Sequence, residues 1–300
     1  MSKKYFINIA KLLILPLCCL LGITSLSAEE VSLEYKGLIL NAELELAEGK
    51  SLKDSVILIT HGSLAHRDMQ TLTYLRSLLN EFEYNTLSIN LSLGLNNRHG
   101  MYDCATPHRH LYEDAVDEID QWVGWLKDRG VSGITLLGHS KGGAQTALYA
   151  VENDNELIKS VILIAPATKT KEGSKKLSAQ IQRAKMLMAF DAPKKMLHGL
   201  SMMHCKKAQA SAQSFLSYNQ FSPRQDTPTL LREIKKPTLI LIGGQDEIVV
   251  GLEEKVAPLA DGKRVRMKVI PTAGHFFRDL NMDEAVEVMD EFLQDTAKNN

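Results

Sequence analysis

Leu136, Leu137, Gly138, His139, Ser140, Lys141, Gly142 and Gly143 join two patterns: an apolar, β-branched run that begins at Gly133, and a stretch of good helix formers from Ala144 to Val151. A serine between glycines at such a junction is the strand–turn–helix arrangement G-x-S-x-G. The chain must reverse sharply at Ser140, through backbone angles that a side chain at Gly138 or Gly142 would obstruct. A turn of this kind pushes the hydroxyl out at the carboxyl end of a sheet, with the N–H groups of a helix N-terminus beside it. Five residues alone are a weak signal, because glycine-flanked serines occur by chance. The elements around them decide the fold.

Ser55–Thr60 is a nearly unbroken apolar strand of the sort buried on both faces of a parallel sheet, and it ends in His61, Gly62 and Ser63. Leu72, Leu75, Leu78, Leu79 and Phe82 have helical spacing within 69–82, and a strand follows at 85–91. A second helix is predicted over 111–128 from Ala115, Ile119, Trp122, Val123 and Leu126, ending at Gly130. Beyond the elbow, buried-strand runs recur at 160–165, 237–243 and 264–270, and an amphipathic helix closes the chain at 282–293. Near the start, 31–35 and 38–46 alternate around Lys36-Gly37 and read as an antiparallel hairpin at a sheet edge, with Asn41, Glu43 and Glu45 facing water. This alternation predicts a mainly parallel, twisted sheet with helices on both faces. Between 169 and 232 the pattern becomes Lys- and Met-rich and mostly helical, as expected of a helical cap inserted between core strands. Its methionines, among them Met186, Met188, Met196, Met202 and Met203, serve either core packing or a flexible apolar lining.

The chain has 300 residues, 44% of them hydrophobic, enough for one large domain with an insertion. A formal charge of -1 without a long basic tract argues against nucleic acid as a partner. Residues 1–28 read as a signal peptide: Lys3, Lys4 and Lys11 precede an apolar run over 12–23, and Ser25, Leu26, Ser27 and Ala28 offer a cleavage site before Glu29. An uncleaved N-terminal anchor is the alternative, and Leu17 before Cys18 and Cys18 before Cys19 fit a lipobox poorly. Export to the periplasm or beyond is thus expected, with a mature domain over 29–300 that has no stable membrane span after cleavage. That mature chain retains Cys104 and Cys205, which either pair in an oxidising compartment or stay as two separate thiols.

A serine hydroxyl is a poor nucleophile until a base takes its proton, and that base needs a partner to fix its tautomer. Asp246 follows the strand 237–243, and His275 follows the strand 264–270, so both open at the same sheet edge as Ser140. The chain order Ser140, Asp246, His275 on three strand ends resembles the α/β-hydrolase family, and the resemblance runs from about Ser55 to the C-terminus. It implies Ser140 as nucleophile, His275 as general base and later acid, and Asp246 as the orienting carboxylate. Glu247 is the rival for that carboxylate, and His139 is a packing residue of the motif. The resemblance also implies an oxyanion hole formed by the backbone N–H of Lys141 and a second donor after His61-Gly62. Ser63 is the choice there and Leu64 the alternative.

The segment 92–111 is long and polar, with Arg98, His99, Asp103, Cys104, His108, Arg109 and His110, and a connection of that length is commonly functional or mobile. Arg98-His99-Gly100 partly matches an Arg-Gly motif of the family; the rest departs from it. His108 and His110, with Asp103 and Cys104, lack a recognised ligand spacing, and the chemistry requires no metal, so neither metal nor cofactor is expected. The expected activity is that of an exported serine hydrolase of carboxylesterase type, cleaving an ester, thioester or amide of a small or lipid-like acyl substrate. The alternatives are an acyltransferase and a noncatalytic binding protein that keeps the fold.

Overall fold

The computed structural model describes residues 28–299. The signal-peptide reading concerns residues that lie, except for Ala28, outside the described ones. Eight strands form one sheet: β1 Ala28–Tyr35, β2 Leu38–Glu45, β3 Val56–Thr60, β4 Asn85–Asn90, β5 Ile134–His139, β6 Ile158–Ile164, β9 Thr238–Gly243 and β10 Val265–Ile270, in spatial order β1-β2-β4-β3-β5-β6-β9-β10. The pairs β4–β3, β3–β5, β5–β6, β6–β9 and β9–β10 are parallel; β1–β2 and β2–β4 are antiparallel. Parallel pairing forces the carboxyl ends of β3, β5, β6, β9 and β10 to one edge, which is where the predicted chemistry must gather.

Successive side chains of a strand point to opposite faces, so each apolar strand feeds two cores. Ile57 and Ile59 of β3 and Leu137 of β5 pack with α1 (Gln70–Glu81) and α9 (Leu280–Asn299) through Leu72, Leu75, Leu79, Val286 and Met289. On the other face Leu58, Leu136, Leu163 and Ile240 pack with α2 (Asp114–Asp128) and α3 (Lys141–Glu152) through Ile119, Trp122 and Leu148. The helical spacings predicted over 69–82 and 111–128 thus correspond to α1 and α2, each burying its apolar stripe.

One expectation about β2 is overturned. Asn41 is buried, and Glu43 and Glu45 are largely covered, because two buried arginines of the α1 region reach across the sheet for partners. Arg67 donates to Asn41 Oδ1 at 2.8 Å and lies 3.5 Å from Glu43, while Arg76 donates to Glu45 at 2.9 Å. A buried guanidinium left without such acceptors would be strongly destabilising.

The inserted segment leaves and rejoins the sheet at a narrow neck. Thr168 and Asp226 form an isolated antiparallel bridge, and the Lys169 N–H donates to the Gln225 carbonyl at 2.9 Å. Beyond the neck lie α4 (Lys171–Lys176), α5 (Ser178–Ala189), an antiparallel hairpin of β7 (Met196–Met202) and β8 (Cys205–Ser211), and α6 (Ala212–Asn219). After the neck, α7 (Thr227–Leu231) leads back to β9, and a short α8 (Leu252–Val256) precedes β10. The segment expected to be helical therefore also contains a β-hairpin, whose short, Gly- and Lys-interrupted strands carry little period-2 signal. Its methionines divide: Met202 is buried with the core, whereas Met186 and Met188 are exposed on α5. Among the described residues no helix is long and apolar enough to cross a membrane.

Candidate active site

Ser140 follows β5 directly and caps α3 with φ +56° and ψ −122°, a conformation that costs an L-residue energy and persists only when its surroundings enforce it. They do so from both sides. A Cβ at Gly138 would lie 2.5 Å from Thr146 Oγ1, and one at Gly142 would overlap the His61 carbonyl. The Ser140 N–H donates to the Ile164 carbonyl at 2.9 Å, and the Ser140 carbonyl accepts from the Ala167 N–H at 2.8 Å, which ties the elbow to the end of β6.

Three separate strand ends meet at this turn. His275 Nε2 lies 2.8 Å from Ser140 Oγ, and His275 Nδ1 lies 2.8 Å from Asp246 Oδ2. The other Asp246 oxygen accepts the N–H groups of Ile248 at 2.8 Å and Val249 at 2.9 Å. Burial pushes this carboxyl up, but the hydrogen bond from His275 and those from the two N–H groups outweigh it and hold Asp246 below its ordinary value. An ionised Asp246 accepts from Nδ1–H, leaving Nε2 free to accept from the serine hydroxyl. Glu247 is exposed beside it. His139 donates from Nε2 to the His275 carbonyl at 2.9 Å, and burial pushes it down to about 4, so it is neutral and holds the His275 backbone.

The turn after β3 presses on the elbow: a Cβ at Gly62 would be 3.0 Å from Ser140 Cβ. Ser63 therefore follows a residue in contact with the serine, and Lys141 is the first residue of α3 on its other side. Leu64, the alternative donor, is buried, and its carbonyl accepts from the Tyr102 N–H at 2.9 Å.

Behind this turn lies a network that sequence reasoning only touched, through Arg98-His99-Gly100. His61 Nε2 accepts from the Leu91 N–H and from Arg98, both at 3.0 Å, so its proton sits on Nδ1 and is donated to the Gly62 carbonyl at 2.9 Å. Burial, reinforced by the Arg98 charge, pushes His61 down to about 3. Arg98 is itself buried and also donates to the Leu91 carbonyl at 2.7 Å, to Asn90 Oδ1 at 3.0 Å and to the Gly100 carbonyl. Its neutral histidine partner and fixed fork set the carbonyl of Gly62, and hence the turn that carries Ser63.

The polar segment 92–111 is not loose. Cys104 and Cys205 are joined by a disulfide with Cα atoms 5.6 Å apart, and the His108 N–H and carbonyl bond to Gln209 and Ser211 of β8. His110 Nδ1 donates to the Tyr218 hydroxyl at 2.9 Å, Tyr218 donates to the Leu111 carbonyl at 3.2 Å, and His108 Nδ1 donates to His110 Nε2 at 3.2 Å. Burial pushes His108 down to about 4 and His110 to about 3, so both histidines act as neutral links between loop and cap. Among the described residues no group of three or more His, Cys, Asp or Glu side chains is placed to hold a metal ion.

A parallel sheet with helices on both faces, an elbow serine and a histidine–carboxylate pair on later strand ends define the α/β-hydrolase class. The comparisons agree. The model of the family described as "Serine aminopeptidase, S33" matches residues 53–278, and the chain belongs to that hydrolase family. Among solved structures, Est1E from Butyrivibrio proteoclasticus is similar at 19% identity, with a TM-score of 0.64 over 91% of this chain and 100% of that one. The α/β hydrolase GrgF from Penicillium sp. sh18 gives 14% identity and a TM-score of 0.65, covering 90% and 99% of the two chains. An esterase of Pyrococcus furiosus gives 16% and 0.59, covering 90% and 91%. These identities carry the fold alone. No curated protein matches the chain in sequence.

Proposed function

We propose that this chain is an exported serine hydrolase that cleaves an ester, thioester or amide through an acyl-enzyme, most naturally as a carboxylesterase. The observation that carries the reading is the unbroken chain Ser140 Oγ, His275 Nε2, His275 Nδ1, Asp246 Oδ2, with both hydrogen-bonded contacts at 2.8 Å. Such spacing is the distance a general base needs to accept the serine proton. His275 takes that proton as Ser140 Oγ bonds to the substrate carbonyl carbon, and the N–H groups of Lys141 and Ser63 face the oxygen that becomes negative. Collapse breaks the bond to the leaving group, which departs with the proton from His275. Water then repeats the sequence on the acyl-enzyme, returning the proton to Ser140 and releasing the acid.

The test is covalent labelling of the purified protein with a fluorophosphonate, followed by peptide mass spectrometry. Label on Ser140 that His275→Ala abolishes is the expected result. Folded protein that takes no label would refute an activated serine and favour a binding protein built on the same fold. Export is supported by the charge and apolar pattern of residues 1–28 and by a disulfide that an oxidising compartment would maintain. A mature N-terminus at Glu29 in the exported fraction is expected, and full-length protein held in the cytoplasm with free thiols would refute it.

A further inference from the structure

Resting on the hydrolase reading above, we propose that the site selects a substrate bearing a second, anionic group, such as a carboxylate, held by the side chains of Lys141 and Lys169. Lys141 immediately follows the nucleophile, and its ammonium stands 6.0 Å from the Tyr112 ring centroid and 5.8 Å from that of Tyr218. Lys169, at the neck of the cap, donates to the Tyr218 carbonyl at 3.0 Å. The two cations thus meet around one residue of α6, on the cap side of Ser140.

Neither ammonium forms an ion pair with a described carboxylate, although both residues are half-buried. Burial pushes each down to about 8, and for Lys169 the charge of Lys141 adds to the effect. His204, in the turn between β7 and β8, lies near enough to Lys141 and His275 for both to lower it further after burial. The groups that face Lys141 are therefore a second lysine, His204 and two tyrosines. Lys141 also occupies the first turn of α3, which contains no acidic residue, so the positive end of the helix dipole opposes its charge.

Partly withdrawing two like charges from water, one of them in the first turn of a helix, is unfavourable unless something compensates them. Aromatic faces offer Lys141 a partial partner, which is weaker than a carboxylate in the same place. An anion between the two ammonium groups would satisfy both at once. The arrangement also speaks against a substrate with a free α-amino group at this position, despite the aminopeptidase description of the family: that cation would meet two others.

The experiment compares kcat/KM for two matched pairs of esters. In one, the anion is on the acyl side: the p-nitrophenyl monoester of adipic acid against p-nitrophenyl hexanoate. In the other it is on the alcohol side: p-acetoxybenzoate against its methyl ester. Each rate is divided by the rate with hydroxide, which removes intrinsic reactivity. The expected result is a preference of tenfold or more for the anionic member of at least one pair, falling toward unity in Lys169→Met and in Lys141→Met. Ratios at or below one in both pairs would overturn the inference while leaving the hydrolase reading in place. A preference that both substitutions leave unchanged would overturn the assignment to these lysines.

Calorimetric titration of adipate into Ser140→Ala separates the two readings, because it needs no turnover. Adipate binding weakened tenfold or more by Lys169→Met supports the anion site even if no ester is cleaved. Absence of binding together with absence of cleavage would overturn it. The wild-type ratios decide the matter even if one lysine variant does not fold.

Discussion

Arg98→Met removes a buried guanidinium and keeps most of its hydrophobic stem. The structure assigns that group four acceptors: the Leu91 carbonyl, the Gly100 carbonyl, Asn90 Oδ1 and His61 Nε2. Two of them keep another donor after the change, since His61 Nε2 still accepts from the Leu91 N–H and Asn90 Oδ1 from the Arg67 N–H. The two carbonyls lose the charged donor that serves them. Leaving two buried carbonyls without their donor costs about 1–3 kcal/mol each, about 2–6 kcal/mol together. A domain of this size shifts its unfolding midpoint by about 2 °C per kcal/mol, so a fall of about 4–12 °C is expected. The same change leaves His61 Nε2 with the Leu91 N–H alone, which loosens the hold on the ring, on the Gly62 carbonyl that it bonds and on the Ser63 N–H proposed as an oxyanion donor. Weakening one oxyanion donor costs up to about 10²–10³ in kcat. Differential scanning calorimetry and p-nitrophenyl acetate hydrolysis read the two effects separately. A midpoint within 2 °C of the wild type, with kcat unchanged, would refute the claim that Arg98 holds the oxyanion turn.

Two further outcomes follow from groups away from Ser140. Burial raises Glu118 to about 7, although the Ser92 N–H and hydroxyl both donate to it. A folded-state value above the unfolded one means that the folded protein holds the extra proton: this contribution to stability is present below about pH 4.5 and is lost as pH rises through about 7. Glu118→Gln should therefore flatten the fall in stability over that interval, as followed by urea titration at several pH values; an unchanged slope would contradict the assignment. The Cys104–Cys205 bond joins residues 101 positions apart and ties the segment after β4 to the cap hairpin. Replacing both by serine should cost about 2–4 kcal/mol, with new protease cleavage in 99–110 or 196–211; unaltered stability and digestion would show that the cap needs no tether.

Much of this protein is legible in one dimension. The buried strands were readable because a strand covered on both faces must be apolar at nearly every position, as in Val56–Thr60 and Thr238–Gly243. The elbow was readable because only glycine fits where Gly142 meets the His61 carbonyl. The hairpin Met196–Met202/Cys205–Ser211 was not, since its strands lack alternation and hold together partly through bonds to His108. Asn41, Glu43 and Glu45 misled for a related reason: their alternation looks solvated until Arg67, from the turn before α1, and Arg76, from α1, are brought over the sheet.

By itself, then, the sequence determined the architecture and the residue types able to do acyl chemistry, because periodicity and turn composition are local and strand ends follow from chain order. Tertiary structure alone decided that Ser140, His275 and Asp246 stand 2.8 Å apart in succession, that Arg98 sits behind His61, and that Cys104 reaches Cys205. It also decided that Lys141 and Lys169 converge on Tyr218. Those are contacts between residues far apart in the chain, set by parallel pairing at one sheet edge and by a cap folded back over it, and no local pattern encodes them.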